Sequence, residues 1–166
     1  MKLVSMTNFQ ALTLRNVMES RAPKFTMDDL RHVHRALSTI NAATKSYFDQ
    51  TKEAGDEILK QMREAQAIED ESERGLARAD IRQLDIEIAK GLREGDGAAV
   101  VEMGFDDSSF GVVLKHWQSI NEWSPAEEAR TVVIAIDDAL DNVRSGSYID
   151  GGFVEVFDNH VRVLAD

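Results

Sequence analysis

The sequence contains no cysteine, which excludes a disulfide framework and a thiolate zinc site and fits a reducing compartment. Residues 1–8 lack the apolar core of a signal peptide, so secretion by that route is not expected. No apolar run approaches the roughly 18 residues that a membrane span needs. The sequence therefore predicts a cytoplasmic protein that does not span or bind a membrane.

Proline is nearly as scarce, since Pro23 and Pro125 are the only two in 166 residues. The apolar fraction of 43% and the charged fraction of 30% are those of an ordinary globular protein rather than a disordered one. A chain of this length can bury a substantial core. We therefore expect residues 1–166 to form a single domain.

Basic residues are outnumbered, with 19 lysines and arginines against 30 acidic residues and a net charge of −11. Phosphate contacts depend on clustered lysine and arginine, so direct nucleic-acid binding is not expected. Residues 1–48 hold seven basic and three acidic side chains, whereas residues 97–166 hold four basic and thirteen acidic ones. Such asymmetry is typical of solvated faces, and it also suits head-to-tail contacts between copies or an electropositive partner.

Two capping patterns near the start of the chain predict two helices. Thr7 with Gln10 opens a short helix that should end before Pro23, and Thr26 with Asp29 opens a long one that reaches about residue 68. Along the long helix, apolar or small residues alternate three and four apart, which is a heptad stripe. The stripe consists of Leu30, Val33, Leu37, Ile40, Thr44, Tyr47, Thr51, Ala54, Ile58, Ala65 and Ile68.

A second apolar stripe follows in a different phase, at Ala77, Ile81, Leu84 and Ile88. This change of phase predicts a break between residues 68 and 76, where Asp70 and Glu73 are spaced as the cap of a returning helix. The result is a helical hairpin, and the rival interpretation is one unbroken helix over residues 26–94 with a stutter.

The returning helix, about 20 residues long, is too short to cover the whole of its partner. We therefore expect residues 46–92 to project as a helical hairpin from a compact head. Residues 1–45 and 97–166 would form that head.

The last third of the sequence alternates strand and helix signals. A strand is predicted over residues 98–105 with Ala99, Val101, Met103 and Phe105 on its apolar face, and a helix over residues 110–120. The predicted fold class is α+β, mainly α, with a long helical hairpin and a short antiparallel sheet. The remaining signals are a helix that begins at the cap Ser124-Pro125-Ala126-Glu127 and ends near Gly146, and a β-hairpin of residues 153–157 and 161–164 that turns at Asp158-Asn159.

Histidine offers no catalytic pattern. His32 and His34 diverge by about 200° on a helix, and neither His116 nor His160 has a carboxylate partner nearby in the sequence. The glycines match no phosphate-binding loop.

Three aspartates, Asp137, Asp138 and Asp141, could place two carboxylates on one helical turn, as divalent-metal sites require. A solvated acidic face explains the same residues. We accordingly predict no catalytic, cofactor-binding or metal-binding residue, and a protein that is not an enzyme.

The candidate residues are instead those of an interaction surface. Phe48, Leu59 and Met62 flank the stripe of the long helix and make its apolar surface wider than one partner helix needs. A second copy, a foreign protein or the folding of the head over this surface could cover it. The predicted tip of the hairpin carries Glu64, Glu69, Asp70, Glu71 and Glu73, which form either a solvated turn or a docking site.

Trp123 stands immediately before the predicted cap at Ser124, where an apolar residue can form a hydrophobic staple. The residue it would meet there is Glu128, so the indole must pack elsewhere. It either joins the core or serves as an exposed anchor for a partner.

The Lys2-Leu3 start with Thr7-Asn8, the acidic helical hairpin and the apolar strand that ends near Phe105-Asp106 together resemble the uncharacterised small acidic proteins of tailed-bacteriophage genomes. The resemblance covers roughly residues 1–120. It implies a phage or prophage origin and a role in particle assembly or in handling a host protein. It implies no catalytic residue.

The main functional hypothesis is therefore a noncatalytic interaction or assembly protein that contacts copies of itself, as a homo-oligomer, or a foreign protein. One alternative is an acidic inhibitor whose acidic C-terminal third occupies the basic groove of a nucleic-acid-binding host protein by presenting carboxylates where phosphates would lie. The other is a small metal-dependent hydrolase that uses Asp137, Asp138 and Asp141.

Overall fold

The computed structural model describes residues 1–21, 24–119, 127–145, 152–157 and 160–165. Its fold class is α+β and mainly α, as predicted. The elements in chain order are strand β1 (Lys2–Thr7), helix α1 (Asn8–Arg21), helix α2 (Met27–Gln66), helix α3 (Glu71–Glu94), a 3₁₀ turn (Asp96–Ala98), strand β2 (Val100–Phe105), helix α4 (Asp107–Gln118), helix α5 (Glu127–Ser145), and strands β3 (Gly152–Phe157) and β4 (His160–Ala165).

The helix starts follow the predicted caps. The Thr7 amide donates to Gln10 Oε1 at 2.9 Å and the Gln10 amide donates to Thr7 Oγ1 at 3.2 Å, which is a reciprocal capping box. Thr26 Oγ1 accepts from the Asp29 amide at 3.2 Å and starts α2, which is 40 residues long. The stripe faces inward along α2, where Val33, Ile40, Thr44, Tyr47 and Ala65 are buried.

The break after the long helix confirms the helical hairpin. Helix α2 ends at Gln66, and α3 begins at Glu71 behind an extended Asp70 whose carboxylate accepts from the Glu73 amide at 2.8 Å. Arg74 Nη1 donates to the Ile68 carbonyl at 3.1 Å and closes the turn. The rival prediction of one unbroken helix over residues 26–94 is therefore wrong.

Strand β1 has no counterpart among the predicted elements. It pairs antiparallel with β2 in a register that runs from Lys2↔Phe105 to Thr7↔Val100. Val4, Met6, Met103 and Phe105 are buried in the sheet. Ala99, which was predicted on the apolar face of the strand, lies just before β2 and is exposed.

One hydrophobic core joins this sheet to α1, the first half of α2, α4 and α5. Among the described residues its buried members come from two stretches, residues 4–40 and residues 103–140. No buried member comes from the hairpin helices beyond Ile40. The largest side chains that are fully buried include Leu14, Met18, Ile40, Met103, Phe105, Ile136 and Leu140.

The C-terminal elements agree with the predictions as far as the structure describes them. Helix α4 begins earlier than predicted because Asp106 caps it, accepting from the Ser109 amide at 2.8 Å and from the Ser109 hydroxyl at 2.7 Å. Strands β3 and β4 pair antiparallel, with Phe157↔His160 as the last partners. The predicted cap residues 124–126 and the predicted turn at residues 158–159 lie outside the described residues.

Candidate interaction surface

Helix α3 is unusual in that its 24 residues include none that is buried. A helix of a globular protein normally buries an apolar stripe. Here Ala77, Ile81 and Ile88 of the predicted stripe are only half-buried against α2, whereas Leu84, its fourth member, is exposed. Other apolar side chains of the hairpin are largely solvent-exposed, namely Leu59 (56%), Leu76 (67%), Leu84 (38%) and Ile86 (62%).

Helix α1 packs against the base of the hairpin on one side only. The Arg93 guanidinium stacks 4.5 Å over the ring of Phe9, and the Arg15 guanidinium stacks 4.6 Å over the ring of Phe48. Phe48, a predicted interaction residue, is therefore half-buried beneath Arg15. These two contacts identify which side of each hairpin helix faces α1.

A cavity of about 250 Å³ lies on this same side, between α1 and the two hairpin helices. Its floor is small and apolar, because Ala54, Gly55 and Ala89 line it. A methyl group built at Gly55 would meet no atom within 4 Å, so the space above the glycine is open. The other lining residues are Phe9, Leu12, Thr13, Asn16, Tyr47, Thr51, Asp85, Ile88 and Leu92.

Helical geometry extends the α1-facing side to the rest of the hairpin, because residues four, seven and eleven apart share a face. Counting from Phe48 and from Arg93 gives a surface rich in cations, which we call the basic side. Its acidic members are Asp85, Glu71 at the tip and, at its edge, Asp56. The basic side consists of Lys52, Gly55, Leu59, Met62 and Arg63 of α2 and of Arg78, Arg82, Asp85, Ala89 and Arg93 of α3.

The opposite face of the hairpin, which we call the acidic side, carries mainly carboxylates, with Lys60 at its edge between Glu57 and Glu64. Its members recur at the same helical spacing, seven residues apart on each helix. Leu84 is the exposed apolar residue among them. The acidic side consists of Glu57 and Glu64 of α2 and of Glu73, Asp80, Leu84 and Glu87 of α3.

Few of these charges are neutralised within the chain. Among the described residues, two ion pairs join one residue of the hairpin helices to another, Lys45 with Asp49 at 2.7 Å and Lys90 with Glu94 at 3.9 Å. Neither pair joins the basic side to the acidic side. Arg63 and Arg82 are exposed with no ion pair in this part of the chain, and Arg78 Nε is buried without a hydrogen-bond partner there.

The acidic tip is exposed, as its sequence suggests. Glu69, Glu71 and Glu73 face solvent, whereas the carboxylate of Asp70 is committed to the helix cap. Met62, the remaining candidate on α2, is half-buried on the basic side. The candidate Trp123 lies outside the described residues, so its role as an anchor remains a prediction.

A charged cluster not evident from the sequence joins the start of α2 to the end of α4. Lys115 Nζ donates to Asp29 Oδ2 at 3.0 Å, and His116 Nε2 lies 3.3 Å from the same oxygen. The hydrogen bond from Lys115, with the further one from His116, lowers the pKa of the Asp29 carboxyl. The ring of Phe25 packs edge-on against His116 at 4.0 Å.

The aspartates considered as a metal site are partly engaged in other contacts. Asp137 Oδ1 accepts from the indole of the buried Trp117 at 3.1 Å, and Asp141 pairs with Arg144. In the parts of the chain that the structure describes, no three histidine or acidic side chains are grouped so as to hold a metal ion. The side chain of His160 lies outside the described residues.

Comparison of the chain with protein-family models, with curated proteins and with solved structures finds no match. Within the described residues, no helix combines the length and the apolar character needed to cross a bilayer. The function of the chain is therefore inferred from the hairpin itself.

Proposed function

We propose that this chain is a noncatalytic protein-interaction or assembly protein and that the helical hairpin of α2 and α3 is its contact element. The observation that carries the proposal is the exposure of α3, a 24-residue helix without a buried residue. An element of this length adds little to the main core, so a role outside the folding of its own chain explains its presence better.

The surface chemistry of the hairpin supports contact with a protein. Leu59 and Leu84 are exposed within charged surroundings, and apolar residues with a polar rim are typical of protein interfaces. The open cavity above Gly55 and Ala89 offers a place for an apolar anchor from a partner. An assembly role also agrees with the phage resemblance of residues 1–120.

Replacing one exposed apolar residue on the hairpin tests this proposal. Leu59→Glu puts a charge into the contact surface, whereas Ile134→Glu changes a residue of α5 that is equally exposed, at 59% against 56%. Both variants should keep the circular dichroism and melting temperature of the wild type.

We expect Leu59→Glu to weaken association, with itself or with a foreign protein, on the order of tenfold or more, because charge in an apolar contact is costly. Light scattering after size exclusion and quantitative affinity capture measure the two kinds of association. The proposal fails if every association of the wild type survives Leu59→Glu, or if Ile134→Glu weakens it as much.

A second candidate function is inhibition of a nucleic-acid-binding protein. The acidic side favours it, because Glu57, Glu64, Asp80 and Glu87 present carboxylates in two rows, with Lys60 as a cation at the edge of one row. Such an inhibitor would release a basic DNA-binding protein from duplex DNA. Substituting Glu57→Lys and Glu87→Lys should abolish the release, while Leu59→Glu should leave it unchanged.

A further inference from the structure

The two sides of the hairpin carry opposite charge, and we propose that they bind each other between copies, the basic side of one chain against the acidic side of the next. This inference rests on the proposed function and names the partner as a second copy of the same chain. The charge, the shape and the area of the two sides each support this contact.

Charge segregation decides which faces can meet. The basic side has five cations, Lys52, Arg63, Arg78, Arg82 and Arg93, against the three acidic residues Asp56, Asp85 and Glu71. Pairing a side with its own copy, as in a two-fold dimer, would oppose like charges and cost free energy. Pairing unlike sides lets cations meet carboxylates, so a heterologous contact is favoured.

The apolar residues of the two sides are complementary as well. Leu84 is exposed on the acidic side, and the basic side contains the hollow floored by Gly55 and Ala89 with Leu59 beside it. In the antiparallel hairpin Leu84 lies close to the level of Gly55, because the next residue, Asp85, lines the same cavity as Gly55. A neighbouring copy at nearly the same level would place Leu84 over the hollow.

The available area predicts the strength of the contact. The free part of the hairpin is roughly 30 Å long and roughly 20 Å wide, taking about 1.5 Å per residue and about 10 Å between helix axes. That gives about 600 Å² per copy and about 1,200 Å² in total, the low end for a specific protein interface. Association should therefore depend on protein concentration and, because the contacts are charged, on salt.

A heterologous contact leaves one free basic side and one free acidic side at the ends of every assembly. Such a contact either closes into a ring or grows as an open stack. A simple two-fold dimer is not expected from it. Growth beyond two copies at low salt is thus a distinctive consequence.

Charge reversal on one side at a time tests the inference. The acid-reversed variant carries Glu57→Lys and Glu87→Lys, and the base-reversed variant carries Arg63→Glu and Arg82→Glu. All four residues are exposed, so folding should be retained. The matched control carries Glu102→Lys and Asp138→Lys, two exposed residues outside the hairpin, and changes the net charge as much as the acid-reversed variant does.

The measurement is molar mass by light scattering at 50 mM and 500 mM NaCl over a range of protein concentrations. Wild type and control should exceed twice the monomer mass of 18.5 kDa at low salt and return toward it at high salt. Each reversed variant alone should stay monomeric. An equal mixture of the two should form one-to-one pairs, because the acid-reversed variant keeps its basic side and the base-reversed variant keeps its acidic side.

Three outcomes would overturn the inference: a wild type that stays monomeric at every concentration, reversed variants that associate as the wild type does, or a mixture that does not recover. Its failure is separable from failure of the proposed function. If the wild type is monomeric but captures a foreign protein that Leu59→Glu loses, only the self-association is wrong. If the hairpin variants alter no association at all, the proposed function is wrong as well.

Discussion

A single backbone position fixes how closely the end of the hairpin approaches the rest of the protein. Gly97 is buried beside Tyr47, and a methyl group added there would lie 2.8 Å from both Tyr47 Oη and the Leu92 carbonyl oxygen. The tyrosine is itself buried, and this burial raises the pKa of its hydroxyl. Only a hydrogen in place of a side chain fits at this position without displacement.

Gly97→Ala should therefore lower the free energy of unfolding by about 1–3 kcal/mol, the usual cost of overpacking. Gly91→Ala is the matched control on α3, where an added methyl meets no atom within 4 Å. That change should instead raise stability by up to about 1 kcal/mol through helix propensity. Urea denaturation of both variants measures the difference, and equal effects would show that Gly97 is not crowded.

Asp29 is the residue through which acid should act on the contact between α2 and α4. Its pKa is lowered, above all by the hydrogen bond from Lys115, so its stabilising effect is complete above the ordinary value of 3.8. The effect is lost as pH falls through the lowered pKa, because protonation removes the charge that Lys115 and His116 contact.

We expect Asp29→Asn to be less stable than the wild type near neutral pH, with a gap that closes below pH 3.8. Asp28→Asn, in the same helical turn, removes an equal charge from a residue with no contact to α4 among those described. Thermal unfolding from pH 3 to pH 7 measures both variants. A gap that is independent of pH, or shared by Asp28→Asn, would contradict this role.

At the scale of elements, the starts of α1, α2 and α3 could be predicted because their signals are local. Thr7 with Gln10, Thr26 with Asp29, and Asp70 with Glu73 each lie three residues apart, and each forms the predicted bond. Strand β1 could not be predicted in this way. Its two buried residues, Val4 and Met6, are too few to indicate a strand without β2, which follows about a hundred residues later.

The candidate surface was predictable to a similar extent. Leu59 and the acidic tip could be found from the phase of one helix and the composition of one turn. The separation of charge between two sides could not, because it depends on how α3 is rotated against α2 and on which side α1 packs. The contact of Asp29 with His116 is likewise set by tertiary structure, across 87 residues.

The cap at Asp70 determines where α3 begins. Asp70→Ala removes the carboxylate that accepts from the Glu73 amide and should cost about 1 kcal/mol. Glu69→Ala, one residue earlier and exposed, removes a charge but no cap. Faster amide exchange at Glu73 in the first variant and not in the second would confirm the cap, whereas equal exchange would contradict it.

At the scale of the whole molecule, the hydrophobic core and the proposed contact surface lie in different parts of the chain. Among the described residues, the members of the buried core come from residues 4–40 and 103–140. The exposed apolar residues of the hairpin, such as Leu59 and Leu76, lie outside these two ranges. A surface can change by mutation without loss of the core when the two are separate. The hairpin is thus free to carry the contact surface.

This separation predicts that the distal hairpin can be removed without unfolding the rest. Replacing residues 57–83 with a short glycine-containing turn keeps Ala54, Gly55 and Ile88, which line the cavity beside α1. Because no member of the main core is deleted, the fluorescence of the buried Trp117 should be nearly unchanged and thermal unfolding should stay cooperative. Self-association should disappear at the same time, since most charges of both sides are lost. A shortened protein with the emission of an unfolded chain would show that the hairpin is needed for folding, and one that still associates would show that the contact surface lies elsewhere.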